Sequence, residues 1–175
     1  GAETGRSVLH SLPTGFAIDE TRHIRDPHGM IGERLGVDMH ILTSDEYAIR
    51  NLMLAVERCH VGVEAVVASP YASGLSSLVD DEAEMGVAVV ELGGGTTSVG
   101  VFSSGVLVHA DAVAVGGNHI TMDIARGLST GINHAERLKT LYGSTLASPS
   151  DDRETVAVAS VDEAQGDHVY HIPKS

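Results

Sequence analysis

The chain has 175 residues, 42% of them apolar, and a formal net charge of −13 at pH 7. This length and apolar content predict a globular protein with a substantial core, built as one large domain or two small ones. The negative charge argues against a nucleic-acid partner, because phosphates would be repelled and no cluster of Lys and Arg compensates. No apolar segment approaches the roughly 20 residues that span a bilayer, so no transmembrane helix is predicted.

The first part of the chain predicts two strands. Residues 7–18 are rich in β-forming side chains, and Pro13 and Gly15 indicate an edge or a bulge within that strand. Residues 35–42 alternate apolar with small or polar side chains, as a half-buried strand does.

A helix is predicted to follow the second strand. Thr43 as N-cap and Glu46 three residues later form a capping box, and apolar side chains then recur at helical spacing as far as His60. Cys59 falls on this apolar face, which predicts a buried, unreactive thiol. A short strand at residues 63–68 completes a small β-β-α-β unit.

The rest of the chain predicts alternating strands and helices. A short helix begins near Pro70, and an acidic stretch at residues 80–84 is expected to be solvated surface. The segments predicted after it are three strands in a meander, two helices with Asn118 and Asn133 as N-caps, and short strands at residues 155–161 and 169–172.

The most informative motif joins the first two strands of that meander. From Val89 to Thr97 the sequence reads Val-Val-Glu-Leu-Gly-Gly-Gly-Thr-Thr, and a second apolar run follows. The bare N–H groups of glycines at such a turn can approach a phosphate closely. An ordinary hairpin turn stays an alternative, because glycine is common in turns for conformational reasons alone.

Two other glycine-rich loops fit this motif less well. A Walker loop requires Lys followed by Ser or Thr and then a helix, and neither follows the glycines. A dinucleotide-binding fingerprint requires a third glycine where Ser98 stands, and β-forming residues follow instead of a helix. The motif therefore favours a strand, a glycine hairpin and a second strand.

Three segments in order carry a more specific resemblance. The glycine motif is followed by Val-Gly-Gly-Asn-His-Ile-Thr-Met-Asp-Ile-Ala from Val115 and by Ala-Glu-Arg-Leu-Lys-Thr-Leu-Tyr-Gly from Ala135. This order resembles the actin and heat-shock chaperone ATPase superfamily and, within it, the bacterial cell-division FtsA family. Residues 8–13, 26–32 and 55–59 resemble the subdomain that this family carries inserted in its first lobe.

The resemblance implies an α/β fold in two parts. Residues 1–68 would form the inserted, division-specific protein-interaction subdomain of β-β-α-β type, and residues 69–175 part of an actin-like, ribonuclease-H-like nucleotide-binding lobe. Because the resemblance covers only the middle of an FtsA protein, the chain is expected to be an internal fragment. It would lack the other phosphate hairpin and the adenine motif, and is therefore expected to bind ATP with millimolar affinity or undetectably.

The resemblance also implies which residues hold ATP and Mg²⁺. The nucleotide-binding residues would be Gly93, Gly94, Gly95, Thr96 and Thr97 for the phosphates, Gly116 and Gly117 where backbone passes the nucleotide, and Glu136 and Lys139 for the ribose and adenine. Glu91 would hold Mg²⁺ through water. Ser98 stands where members of the superfamily often carry Asp, which implies slow ATP hydrolysis or none. Taken without the resemblance, Glu136 and Lys139 are also consistent with a plain surface ion pair.

The function implied by the resemblance is that of an ATP-binding division adaptor. Such a protein links the FtsZ ring to the inner membrane from the cytoplasmic side, recruits later division proteins and self-associates into filaments. Its membrane contact would come from segments outside this sequence. Two alternatives stay open: a nucleotide-independent interaction scaffold with a vestigial hairpin, and a kinase- or chaperone-type ATPase.

Overall fold

The computed structural model describes residues 5–146, 148–160 and 169–174. The chain forms two compact units: unit 1 comprises residues 1–91 and 98–113, and unit 2 comprises residues 92–97 and 114–175. The predicted α/β class is confirmed, whereas a domain boundary near residue 68 stays a prediction. In chain order the elements are β1 (Arg6–Ile18), β2 (Thr21–Ile24), β3 (Leu35–Asp45), α1 (Glu46–Glu57), α2 (Ser69–Ser77), α3 (Asp80–Met85), β4 (Val87–Leu92), β5 (Thr97–Ser103), β6 (Val106–Val113), α4 (Gly117–Gly127), α5 (Ile132–Tyr142), a 3-10 turn (Asp151–Arg153), β7 (Thr155–Ala159) and β8 (Val169–Pro173).

The first sheet of unit 1 has the strand order β2-β1-β3. The antiparallel pair of β1 and β3 extends from Arg6 opposite Asp45 to Ile18 opposite Leu35. Its register shifts between Pro13 and Gly15, which confirms the irregularity predicted there from the sequence.

The start of α1 differs from the prediction. Asp45 is the N-cap, and its side chain accepts a hydrogen bond from the Ala48 amide at 2.8 Å. Thr43 cannot cap the helix because it is still part of β3, where its hydroxyl accepts from Arg6 Nε at 2.8 Å. The predicted cap was therefore two residues too early.

Two further expectations about this region are wrong. Cys59 is exposed, because α1 ends at Glu57 and buries none of its own residues. Residues 63–68 form no strand. Instead the Ala68 amide donates to His10 Nε2 at 3.0 Å, so a side chain of β1 holds the end of this segment.

The second sheet has the order β4-β5-β6, as the predicted meander requires. Phe102 of β5 and Leu107 of β6 are buried, and Gly74 of α2 packs so closely that a Cβ there would lie 2.1 Å from Phe102 Cζ. The acidic residues of the stretch at 80–84 are exposed, as expected, and the stretch forms the short helix α3. Within it Glu84 makes a bidentate ion pair with Arg25, with both N–O distances at 2.7 Å.

The core of unit 2 lies between the helices α4 and α5 and the antiparallel pair of strands β7 and β8. Leu138, Val156 and Val158 are buried there, with Ile124 and Leu128 packed against them. The two strands pair antiparallel from Thr155 opposite Pro173 to Ala159 opposite Val169, and Val161, the last residue of the predicted strand, lies outside the described residues.

Both predicted N-caps in unit 2 are wrong. Gly116 caps α4 and Gly131 caps α5, so that Asn118 and Asn133 lie inside the helices. The Asn118 amide donates to the Gly94 carbonyl at 2.8 Å, which places it in the first turn of α4. A glycine cap gives no side-chain hydrogen bond to mark the helix start in the sequence.

An ion-pair cluster fastens the end of β8 to the 3-10 turn. The carboxylate of Asp151, itself buried, accepts from the Ser148 amide at 2.7 Å and lies 3.0 Å from Lys174 Nζ. Lys174 also pairs with Glu154 at 3.1 Å. The Ser148 amide and then Lys174 lower the pKa of Asp151 below its ordinary value of 3.8.

The Asp151 cluster predicts an acid-dependent loss of stability. A carboxyl whose pKa is lower in the folded state stabilises the fold above its unfolded-state pKa, and this contribution is lost as the pH falls through the folded-state pKa. We therefore expect Asp151→Asn to flatten the fall in unfolding free energy as the pH decreases from about 5 to about 2, measured by urea denaturation. Asp152→Asn, at the exposed neighbouring position, is the control and should keep the wild-type slope. Equal slopes for wild type and Asp151→Asn would contradict this assignment.

Candidate functional site

The glycine motif forms a tight turn between β4 and β5. The Gly93 amide closes it by donating to the Thr96 carbonyl at 2.8 Å. Gly94 and Gly95 are exposed, and a Cβ added at Gly95 would meet nothing within 4 Å. In the part of the chain that the structure describes, no acceptor is paired with the amides of these two glycines. A Cβ added at Gly94 would lie 3.5 Å from Asn118 Nδ2, so the turn presents two bare N–H groups with open space at Gly95 and the Asn118 side chain close to Gly94.

The carbonyl groups of this turn are bonded to α4. The Gly117 amide donates to the Gly93 carbonyl at 3.0 Å, and the Asn118 amide donates to the Gly94 carbonyl at 2.8 Å. These bonds use two of the amides that a helix N-terminus leaves unpaired. Because C=O and N–H point in opposite directions in a trans peptide, the free amides of Gly94 and Gly95 point away from the helix residues that hold the turn.

Position 116 requires glycine because the start of α4 lies so close to the glycine turn that no side chain fits between them. A Cβ at that position would lie 2.5 Å from the Gly93 carbonyl oxygen and 2.7 Å from that of Gly94. Its φ of −158° is extended backbone that any residue adopts, so the constraint is steric. That backbone passes the nucleotide at Gly116 stays a prediction; the close approach in the structure is that of Gly116 to the glycine turn.

The two threonines of the motif differ in their surroundings. The Thr97 hydroxyl donates to the Val115 carbonyl at 2.7 Å, so its hydrogen is engaged within unit 2. Thr96 is exposed, and within the described ranges its hydroxyl has no partner. Of the two side chains, Thr96 is therefore the one available to a ligand.

Glu136 and Lys139 form a polar network with α4. Lys139 Nζ lies 2.7 Å from Glu136 Oε2 and 2.9 Å from Thr121 Oγ1, and it donates to the Gly117 carbonyl at 3.2 Å. Hydrogen bonds from Lys139 and then Thr121 lower the pKa of Glu136. The pair is thus more than the plain surface ion pair considered from the sequence.

Thr121 is a residue that the sequence analysis missed. It is 3% exposed and lies one helical turn after Gly117, on the side of α4 that meets α5. A hydroxyl four residues after a candidate glycine on a predicted helix is the signal that could have found it.

Glu91, the candidate magnesium residue, belongs to unit 1. Its Oε2 accepts from Ser73 Oγ at 3.3 Å and from Ser98 Oγ at 3.4 Å, and Ser98 is buried. Across residues 5–146, 148–160 and 169–174, no group of three His, Cys, Asp or Glu could hold a metal ion. Glu91 would therefore depend on water for the other ligands of a cation.

The turn of unit 2 fits an anion with several oxygen atoms. Within the described part of the chain, the amides of Gly94 and Gly95 and the hydroxyl of Thr96 have no partner. The Lys139 ammonium lies 3.5 Å from the position that a Cβ of Gly117 would occupy. Unpaired backbone amides attract anions. The turn would therefore attract an anion although the net charge of the chain is −13 at pH 7.

None of the described helices is long and apolar enough to cross a membrane.

Comparison with protein families gives two matches. The family model described as cell division protein FtsA matches residues 88–173, and the model described as SHS2 domain inserted in FtsA matches residues 1–43. The cell division protein FtsA of Rhizobium meliloti is 54% identical over 98% of this chain and 39% of its own length. FtsA of Escherichia coli K12 is 38% identical over 88% of this chain and 37% of its own length. The chain thus spans less than half the length of these relatives.

Solved structures with a similar fold are more distant in sequence. MreB5 of Spiroplasma citri bound to ADP has a TM-score of 0.58 at 21% identity, over 71% of this chain and 40% of that one. A chain of the PilM–PilN type IV pilus biogenesis complex has a TM-score of 0.60 at 17% identity, over 79% of this chain and 38% of that one. These likenesses confirm the predicted actin-like fold. Since the two family models together match well over half of its residues, the chain belongs to the FtsA family of cell division proteins.

Proposed function

We propose that this chain supplies part of the ATP-binding site of an actin-like division protein. The observation that carries the proposal is that the exposed amides of Gly94 and Gly95 have no partner among the described residues, while the carbonyl of each of these two peptide groups is bonded to an α4 amide. The fold is similar to part of the MreB5 structures, which were solved with ADP and with AMPPNP. An ordinary hairpin turn needs no such close contact with a glycine that lies 22 positions after Gly94 in the chain, as Gly116 does.

The contacts divide the proposed residues into two groups. Gly94, Gly95 and Thr96 offer free donors and would bind phosphate oxygens. Gly93, Thr97, Gly116 and Gly117 are engaged with one another or with backbone, and would shape the site. Glu136 and Lys139 would lie at the sugar side of the nucleotide.

Glu91 is a separate proposal within unit 1. Its carboxylate is held by two serine hydroxyls and would contact Mg²⁺ through water, which this ion prefers to retain. Ser98 donates to that carboxylate and carries no group able to act as a base near neutral pH. We therefore propose that ATP is bound without rapid hydrolysis.

The proposal predicts weak but localised ATP binding. Because the chain covers 39% of its Rhizobium meliloti relative, only part of the nucleotide contacts is present, and we expect a dissociation constant in the millimolar range. Backbone NMR with Mg·ATP should shift the amide signals of Gly94 and Gly95 most. Gly95→Asp should abolish these shifts, since its carboxylate would repel phosphate from a position with room for a side chain.

Gly95→Ala is the matched control for this prediction. The methyl group fits without a close contact, so the protein should fold and still bind ATP. Shifts spread over the whole chain, or equal binding by Gly95→Asp and wild type, would refute the phosphate site.

Membership in the FtsA family supports the wider role. We propose that the complete protein links the FtsZ ring to the inner membrane at the division site, recruits later division proteins and self-associates into filaments. Introducing Gly95→Asp into the complete protein should block division while leaving its cellular level unchanged. Normal division by that variant would favour the nucleotide-independent scaffold.

A further inference from the structure

The side chain of Asn118 takes no part in starting α4. The N-cap is Gly116, whose amide donates to His119 Nδ1 at 3.1 Å and whose carbonyl accepts from the His119 amide at 2.9 Å. This reciprocal pair of bonds holds the first turn of the helix, as a capping box does. Asn118 is exposed, and its carboxamide has no hydrogen-bond partner among the described residues. The side chain is therefore free to bind something else.

The carboxamide of Asn118 lies beside the glycine turn. A Cβ at Gly94 would be 3.5 Å from Asn118 Nδ2 and 3.6 Å from Oδ1. The amides of Gly94 and Gly95, which have no partner in the described ranges, lie on either side of the Gly94 Cα. The backbone amide of Asn118 donates to the Gly94 carbonyl at 2.8 Å, which fixes the point from which the side chain extends. The NH2 group is thus within reach of an anion that these two amides bind.

The donors at this turn are all uncharged. Residues 92–97 include no acidic or basic side chain, and a carboxamide carries two N–H hydrogens without a charge. Aspartate is equally favourable in the first turn of a helix, but at position 118 it would bring a carboxylate next to Gly94 and repel an anion. Asparagine therefore suits a position that must start a helix and also face a phosphate.

We infer that Asn118 is a further phosphate-binding residue, whose Nδ2 donates a hydrogen bond to an oxygen of the phosphate chain bound by the Gly94 and Gly95 amides. This inference rests on the proposed nucleotide function and adds a side-chain contact from α4 to the backbone contacts of the turn. Phosphate oxygens are charged acceptors, so each neutral donor that reaches them strengthens binding.

The test uses inorganic triphosphate, which has a phosphate chain without adenine or ribose, on the 175-residue chain at constant ionic strength. In nitrogen-15 NMR the backbone amides of Gly94 and Gly95 report the phosphate site, and the side-chain NH2 signals report Asn118. The sequence has three asparagines and one glutamine, so these signals can be assigned one by one. We expect the Asn118 NH2 signals to shift with the same midpoint as the two glycine amides.

Asn133 is the matched control, because it occupies the same position in α5. Each asparagine is the second residue of a helix capped by glycine, and both are exposed. Asn118→Asp should weaken triphosphate binding more than tenfold and Asn118→Ala about fivefold, whereas Asn133→Asp should leave it unchanged. Neither aspartate should lower the urea midpoint of unfolding, since a carboxylate is favourable in the first turn of a helix.

The outcomes separate this inference from the proposed phosphate site. Shifts at Gly94 and Gly95 without a shift of the Asn118 NH2 signals overturn the inference alone, as does equal binding by Asn118→Asp and wild type. Equal weakening by Asn118→Asp and Asn133→Asp also overturns it, because the effect would then come from the total charge. Absence of any shift at the two glycine amides of wild type overturns both the inference and the phosphate site.

Discussion

Replacing Gly116 with valine should lower the unfolding free energy of unit 2 by about 3 kcal/mol and abolish ATP-induced amide shifts. The added Cβ would lie 2.5 Å and 2.7 Å from the carbonyl oxygens of Gly93 and Gly94. These atoms belong to backbone that is itself hydrogen-bonded to α4, so they cannot move aside as the end of a flexible side chain could. The turn and the helix would have to separate.

The matched control for this variant is Gly127→Ala in the same helix. A Cβ at Gly127 would meet nothing within 4 Å, and alanine is the better helix former. We expect this variant to be unchanged or more stable by up to about 1 kcal/mol. Urea denaturation followed by hydrogen exchange in β7 measures both. A Gly116→Val protein as stable as Gly127→Ala would refute the close packing of turn and helix.

The second large effect is expected from Leu138→Ala. Leu138 is 7% exposed and packs in the core with Val156 and Val158, so its truncation leaves a cavity between α5 and β7. Truncations of buried leucine cost about 2–5 kcal/mol, and we expect a loss of about 3 kcal/mol in the unfolding free energy of unit 2.

Leu141→Ala provides the comparison on the same helix. Leu141 is 59% exposed, so losing its side chain should change the stability of unit 2 by no more than about 0.5 kcal/mol. Hydrogen exchange of the β7 and β8 amides reports on unit 2 separately from unit 1. Equal protection in the two variants would mean that α5 packs through a different face.

The central motif could be predicted because its signals are local. Glycines between two β-forming runs define a turn within nine residues, and the structure contains that turn between β4 and β5. The helix starts failed for the opposite reason. Asn118 has a good N-cap side chain, but its amide bonds to Gly94, a residue 24 positions earlier. Contacts at that distance in sequence leave no trace in local spacing.

Helical spacing of apolar residues correctly predicted the helix α1 but not whether its apolar face is buried. Apolar side chains at helical spacing show that a helix is amphipathic and which of its faces is apolar. It does not state what covers that face, and α1 buries none of its residues, so Cys59 lies in solvent. Likewise, the spacing of Glu136 and Lys139 indicated an ion pair, whereas the role of Thr121 depends on how α4 and α5 pack.

The peptide groups of the glycine turn have an electrostatic consequence. In each of two successive peptide groups the carbonyl is bonded to an α4 amide, while the N–H of the same group has no partner among the residues that the structure describes. Hydrogen bonds that share a peptide group polarise one another, so an anion on the vacant side strengthens the bond on the opposite side. Charge arriving at the turn would thereby tighten its junction with α4, and the Lys139 bond to Gly117 extends that stiffening to α5. Binding of an anion at the glycine turn would thus make α4 and α5 more rigid without moving them.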